Sequence, residues 1–171
     1  MRSFIFLILL ITIPAPALAE PPAEPDRFFW ARVVKVSDGD TMTAVRRNDN
    51  LDMVTVRLYG LDAPESGQAF GKRSANELRK MIYKKIVQVE IMQKRDRYGR
   101  IVGIVRHDGK DVGREMAEAG LTWVYPRYCQ RKSLCNGYWA AARRAQKTKT
   151  GMWVEWATAP WDWREAGSKK P

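Results

Sequence analysis

Histidine and cysteine are scarce in this sequence, which has 171 residues but one histidine and two cysteines. A zinc site built from cysteine and histidine takes four such ligands, so this composition excludes one. The single histidine, His107, falls in a predicted hairpin away from the other polar motifs. A carboxylate is therefore the natural candidate for any general base that the chain carries.

Long hydrophobic runs are scarce as well. The apolar run near the start covers ten residues, Phe4 to Ile13, whereas a helix needs about 20 apolar residues to cross a bilayer. No stable membrane span is therefore expected. Arg2 precedes this run and Ala17-Leu18-Ala19 follows it, which predicts a secretory signal peptide over residues 1–19. An uncleaved anchor is the alternative.

This signal peptide predicts export through the secretory pathway, to the periplasm or the extracellular medium. Two nearby cysteines of an exported protein usually pair, so a disulfide between Cys129 and Cys135 is predicted. Residues 20–27 are rich in proline and are predicted to form a tether. Residues 28–154 suffice for one domain with a core, and residues 155–171 form a predicted C-terminal tail whose tryptophans indicate that it docks somewhere.

Charge of one sign dominates. Basic residues outnumber acidic ones by 30 to 19, which gives a formal net charge of +11. Such a balance favours polyanionic partners, nucleic acid first and anionic cell-surface polymers second.

The hydrophobic patterning predicts both strands and helices. Alternation predicts strands over 28–36, 41–45, 53–59 (or from 51), 86–92 and 101–106. Helical spacing predicts helices over 66–85, 112–119 and 138–147. The predicted fold is α+β: a five-stranded OB-like Greek-key β-barrel with three helices, an architecture whose face often binds oligonucleotides.

Three charged turns follow predicted strands: DGDT at 38–41, RLYGLDAPE at 57–65 and DRYGR at 96–100. Strand ends of a closed barrel can converge on one rim, so these turns can share a site. Two carboxylates beside a guanidinium can hold a hard cation, a phosphate and a water together. Taken singly, each turn is also compatible with a solvated loop.

Taken together and in this order, with a helix between the last two, the motifs make the chain similar to the staphylococcal (micrococcal) nuclease family. The resemblance runs from about Val33 to Trp153. It implies that the carboxylates of Asp40 and Asp62 and the backbone carbonyl of Ala63 bind a Ca²⁺ ion. Because the main chain supplies the third ligand, alanine is expected to be tolerated at that position.

The resemblance also implies the catalytic groups. Glu65 would be the general base for an attacking water, and Arg57 and Arg100 would grip the scissile phosphate. The chemistry of the reaction agrees, because the transition state carries extra negative charge that a divalent cation and two guanidiniums complement.

The nucleotide pocket departs in part from the family pattern. Tyr98 would line this pocket, with Arg97 of the same motif as a further substrate contact. Pro126 stands where family members have an aromatic residue, so Tyr128 is the candidate for stacking on a base. Trp123 is expected in the core.

The signal peptide and the resemblance together predict an exported, Ca²⁺-dependent nuclease, which we expect to be a monomer with its catalytic domain over residues 28–154. It would hydrolyse phosphodiester bonds of DNA and RNA and leave 3′-phosphates. Two alternatives stay open: a non-catalytic OB-like module that binds nucleic acid through its basic face, and an envelope-associated structural protein that uses the tryptophan-containing tail.

Overall fold

The computed structural model of the protein describes residues 27–47, 51–155 and 157–168. The predicted signal peptide, residues 20–26 of the predicted tether and Trp156 lie outside the described residues. Within the described ranges, no helix is both long enough and apolar enough to cross a membrane.

The secondary-structure elements follow one another along the chain as β1 (Phe28–Val36), β2 (Thr41–Arg46), β3 (Met53–Leu58), β4 (Leu61–Asp62), α1 (Gly71–Ile82), β5 (Ile86–Gln93), β6 (Ile101–His107), β7 (Lys110–Asp111), α2 (Val112–Glu118), β8 (Trp123–Val124), α3 (Lys132–Lys147), a 3₁₀ turn (Gly151–Val154) and α4 (Pro160–Ser168).

Five of these strands close into a barrel. β3, β2, β1, β5 and β6 are hydrogen-bonded in that order, and each of these neighbouring pairs is antiparallel. A parallel pairing of β3 with β6, which sets Val56 opposite Ile101 and Leu58 opposite Gly103, completes the cylinder. The predicted five-stranded OB-like barrel is confirmed.

The alternation in β1 shows how the sequence builds this barrel. Phe29, Ala31 and Val33 point inward and are buried, because successive side chains of a strand face opposite sides. Trp30 takes the outward register and is exposed. The interior of the barrel is the main hydrophobic core.

The prediction of three helices is wrong, since the described residues contain four. The additional helix, α4, lies in the segment predicted as a tail. It begins at Pro160, a residue favoured in the first turn because it has no N–H to leave unpaired. Trp161 contacts the rings of Trp123 and Tyr125. The described part of the tail therefore packs on the rest of the fold.

Two predicted helix starts are also displaced. α1 begins at Gly71 and not at residue 66, because Phe70 adopts a left-handed conformation with φ of 66° and residues 67–70 form turns. A Cβ at position 71 would collide with the backbone carbonyl of Glu65. α3 begins earlier than predicted, at Lys132 and not at residue 138.

Candidate active site

Asp40 ends the turn between β1 and β2, and its side chain is only 2% exposed. The turn is shaped by a hydrogen bond from the Asp40 backbone N–H to Oδ1 of Asp38, 3.0 Å long. Oδ1 of Asp40 accepts a bond from the Thr41 hydroxyl at 2.8 Å, and Oδ2 accepts the backbone N–H of Ala63 at 2.8 Å. The carboxylate is therefore held by two separate segments of the chain.

Arg57 joins the first two predicted motifs. Its Nη1 donates to Oδ1 of Asp40 at 2.7 Å, and its Nη2 donates to Oδ1 of Asp62 at 2.6 Å. Nη2 also donates to the carbonyl of Leu61 at 3.2 Å. Asp62 lies in β4, which pairs with β8, and its side chain is 1% exposed. One guanidinium thus bridges two almost fully buried carboxylates.

Burial governs the electrostatics of this bridge. It raises the pKa of Asp40 to about 6, and the Arg57 guanidinium offsets only part of that effect. Burial alone would lower the pKa of Arg57, but the carboxylates of Asp40 and Asp62 outweigh it and raise that pKa. Arg57 therefore stays charged. A further cation near Asp40 would favour the ionised form of its carboxyl.

Arg164, in α4, was missed by the sequence analysis. Its Nη2 lies 2.7 Å from Oδ2 of Asp62, and its Nη1 lies 3.3 Å from Oδ1 of the same residue. Nη1 also lies 2.6 Å from Oε1 of Glu65. One signal in the sequence could have indicated this residue: Trp161 and Arg164 are three residues apart, so on a helix they share one face.

Two contacts fix α4 at this position. The ring of Trp161 stacks on Tyr125 with the centroids 4.6 Å apart and an angle of 20° between the planes. Gln68, in the turn before α1, donates to the carbonyl of Thr158 and accepts the backbone N–H of Glu65. The loop that carries Glu65 is therefore tied to the segment that leads into α4.

A cavity of about 680 Å³ opens beside the Arg57 bridge. Charged and aromatic side chains dominate its wall; among them are Arg57, Glu65, Arg97, Tyr98, Arg100, Tyr125, Arg127, Tyr128, Trp161 and Arg164. All three predicted motifs contribute to the cavity or to the carboxylates beside it. Their convergence on one rim is thus a property of the fold.

The third motif reaches the cavity but not the buried carboxylates. Arg100 donates Nε and Nη2 to Oδ2 of Asp96, at 2.9 and 2.7 Å. Tyr98 is exposed between two guanidiniums, with that of Arg97 at 4.8 Å and that of Arg100 at 5.0 Å from the ring centroid. Asp96 therefore holds Arg100 in the wall of the cavity.

Tyr128 also lines the cavity and is exposed, with its ring edge-on to that of Tyr125 and 4.8 Å between the centroids. The next residue, Cys129, forms a disulfide with Cys135, the predicted pair. Gly60 packs directly on this disulfide: it has a φ of 69°, and a Cβ there would lie 2.6 Å from Sγ of Cys129. The disulfide therefore supports the turn that precedes Asp62.

Within the described ranges, no group of three or more histidine, cysteine, aspartate or glutamate side chains is arranged to hold a metal ion. Asp40 and Asp62 share Arg57, and the Glu65 carboxylate is turned to Arg164. Ala63 contributes its N–H to Asp40. That its carbonyl is a metal ligand stays a prediction, as do the roles of the other site residues.

Comparison with known proteins gives one consistent result. The family model described as "Staphylococcal nuclease homologue" matches residues 55–155. An "Uncharacterized endonuclease" of Escherichia coli is 35% identical over 96% of this chain and 98% of its own length. A "Micrococcal nuclease" of Shigella flexneri is 31% identical over 97% of both chains. An "Uncharacterized endonuclease" of Haemophilus influenzae is 36% identical over 72% of this chain and 66% of its own.

Proposed function

Because this chain belongs to the staphylococcal nuclease family and is therefore a phosphodiesterase of nucleic acids, we propose that it is a Ca²⁺-dependent enzyme that cleaves both DNA and RNA. We further propose that it is exported, acts as a monomer and leaves 3′-phosphate ends. One observation carries the proposal: Arg57 bridges two buried carboxylates at the edge of a cavity lined by basic and aromatic side chains.

Asp40 and Asp62 are the residues that would hold the Ca²⁺ ion, with the carbonyl of Ala63 as a further ligand. Their chemistry fits, because carboxylates and carbonyls are the hard oxygen donors that Ca²⁺ takes. Burial disfavours the ionised form of the Asp40 carboxyl and raises its pKa, and a cation bound there would favour the ionised form. A bound divalent ion would offset the negative charge that develops on the phosphoryl oxygens.

Glu65 is the proposed general base. Its side chain is 41% exposed and lines the cavity, so water can reach its carboxylate. It would take a proton from a water whose oxygen bonds to phosphorus, while the bond from phosphorus to the 5′ oxygen breaks. The 5′ oxygen takes a proton from solvent water as it leaves, so the products are a 3′-phosphate and a 5′-hydroxyl.

Arg57 and Arg100 would stabilise the phosphate during this displacement. Guanidinium presents two parallel donors that match two phosphate oxygens, and this match adds geometry to the charge. Asp96 orients Arg100 in the wall of the cavity. The buried carboxylates of Asp40 and Asp62 orient Arg57. Groups that are already oriented need no reorganisation when the transition state forms.

Tyr98, flanked by Arg97, and Tyr128 are the proposed contacts to the bases. Both rings are exposed at the cavity. Stacking on an aromatic ring tolerates any base, because every base has a π face. Broad activity on DNA and RNA follows from this kind of contact.

The proposal of export rests on two features. The first is the signal peptide predicted over residues 1–19, which lies outside the described residues. The second is the disulfide between Cys129 and Cys135. Disulfides persist mainly in oxidising compartments outside the cytoplasm. The disulfide therefore supports a location in the periplasm or the medium.

The test uses protein purified from the exported fraction, incubated with plasmid DNA or with RNA in Ca²⁺, in Mg²⁺ or in excess chelator. We expect both substrates to be cut in Ca²⁺, with less turnover in Mg²⁺, which prefers a tighter octahedral shell. The new ends should become extendable only after phosphatase treatment. Full activity in chelator would remove the metal assignment, and binding without cleavage would favour the non-catalytic module.

A further inference from the structure

Arg164 uses both oxygens of the Asp62 carboxylate. Nη2 donates to Oδ2 at 2.7 Å and Nη1 is 3.3 Å from Oδ1, which also accepts from Arg57 at 2.6 Å. The Asp62 side chain is 1% exposed, so solvent offers no other approach to it. Arg164 therefore covers both oxygens of Asp62, and a cation that takes either oxygen as a ligand has to compete with this contact.

The charge of the cluster also bears on the metal. The carboxylates of Asp40, Asp62 and Glu65 contact two guanidiniums, those of Arg57 and Arg164, and the carboxylate of Asp38 lies close enough to act on Asp40. Arg164 and a divalent cation would repel each other at Asp62, and this repulsion is strong in a medium of low polarity. Departure of Arg164 would remove it.

We propose that the Arg164 guanidinium occupies the place of the metal ion at Asp62, while it also holds Glu65, and that Ca²⁺ binds by displacing it. The inference rests on the metal assignment made under the proposed function. Helix α4 then lowers the affinity for Ca²⁺. The ion must compete with a tethered guanidinium and so binds more weakly than it would to the carboxylates alone.

The exchange is physically accessible. The Arg164 side chain is 42% exposed, so water already reaches it and can solvate the guanidinium when it leaves Asp62. The stack of Trp161, one turn earlier in α4, on the Tyr125 ring does not depend on the contact of Arg164 with Asp62. The helix can therefore stay in place, and only the side chain need move.

The experiment is calorimetric titration of Ca²⁺ into the full-length exported protein, with Arg164→Gln, Arg164→Lys and Arg127→Gln as variants. Arg127 lines the same cavity and contacts the Tyr128 ring. Its removal changes the cavity charge equally but breaks no contact with Asp62 or Glu65. This control separates competition for the ligand from a general change in potential.

We expect Arg164→Gln to bind Ca²⁺ about tenfold more tightly than the wild type, the scale for loss of a partly exposed, charge-assisted bidentate contact. Arg164→Lys should fall between the two, because it keeps the charge but loses the fork. Arg127→Gln should stay close to wild type. Melting temperatures without metal show whether each variant is folded.

The outcomes separate the two proposals. Unchanged or weaker Ca²⁺ binding by Arg164→Gln, with normal binding by the wild type, overturns the inference and leaves the proposed function standing. An equal gain in Arg127→Gln overturns it too, since charge alone would explain both. Failure of all four proteins to bind Ca²⁺ overturns the metal assignment and the inference together.

Discussion

Arg57 reaches Asp40 from the neighbouring strand, with 2.7 Å between Nη1 and Oδ1. The pairing of β2 with β3 sets Arg57 opposite Thr41, the residue after Asp40. The register that closes this part of the barrel therefore also aims the guanidinium at the turn. The same group meets Asp62 at 2.6 Å. Two different Nη atoms of Arg57 make these contacts, a fixed fork geometry that the compact ammonium of lysine lacks.

Replacement of Arg57 by lysine should therefore cost catalysis more than binding. We expect Arg57→Lys to cleave roughly 10²-fold more slowly or worse, the scale for loss of one preorganised donor at a developing charge. Affinity for long DNA should change little, because many other basic residues supply it. Cleavage rate and salt-dependent binding are measured side by side, with exposed Arg32→Lys as control. Normal cleavage by Arg57→Lys would contradict the proposed role.

Glu65→Gln should keep the fold and lose turnover. The amide is nearly isosteric and still offers an acceptor to Arg164, but it cannot take a proton from water. General-base roles are typically worth about 10²–10⁴-fold in rate, and we expect a loss in that range. Single-turnover cleavage in Ca²⁺ measures it. The matched control is Glu115→Gln, which removes a partly exposed carboxylate on α2. Wild-type rates in Glu65→Gln would assign the base elsewhere.

Glu90 ties three parts of the chain together. Its side chain is 5% exposed and accepts hydrogen bonds from Arg27, Arg106 and Arg131 at 2.7–3.1 Å. Burial alone would raise the pKa of Glu90, but the three guanidiniums outweigh it and lower that pKa from 4.5 to about 2. Because the folded pKa lies below the unfolded one, the stabilisation is complete above pH 4.5 and is lost as the pH falls toward 2.

Glu90→Gln should thus lower the free energy of unfolding at pH 7 by about 2–3 kcal/mol. The difference from wild type should shrink as the pH falls from about 5 to about 2. Urea unfolding at a series of pH values measures both effects. Glu77→Gln, on the surface of α1, should change stability by less than about 0.5 kcal/mol. A constant difference across the whole pH range would show that Glu90 acts through packing and not through its charge.

The disulfide should contribute measurably to stability. It closes a loop between positions six apart, which corresponds to roughly 2 kcal/mol in the chain-entropy model. We expect the double variant Cys129→Ser, Cys135→Ser to melt about 5 °C lower. Calorimetry of the wild type with and without reductant gives an independent measure. Mass spectrometry of exported protein should find no free thiol, and two free thiols would count against both pairing and export.

The barrel could be predicted because its signals are local. The alternation in β1 fixes the buried face of that strand, and the motif around Arg57 places two carboxylates within a few residues of a guanidinium. The meeting of Arg57 with Asp40 then needs only the pairing of adjacent strands. Short-range patterns of this kind are legible in a sequence without any tertiary information.

Helix α4 could not be predicted in the same way. It has nine residues and no clear apolar stripe, and its position depends on rings far away in sequence, those of Trp123 and Tyr125. Whether Arg164 meets Asp62 is decided by that docking and not by any motif. The start of α1 is hard to place for a related reason, since the left-handed conformation of Phe70 ends the turns after Glu65 and no local pattern signals it.

The parallel pairing of β3 with β6 determines when the barrel can close as the chain is made, and so when the protein could cut nucleic acid of the cell that makes it. Asp40, Arg57 and Glu65 all precede Ile101, where the closing strand begins. A chain that is unfinished or truncated before β6 contains the residues proposed as metal ligands and as general base, but it has no closed barrel to hold them in place. Toxicity toward the cell's own nucleic acid should therefore require the completed barrel, and prematurely terminated chains should be harmless.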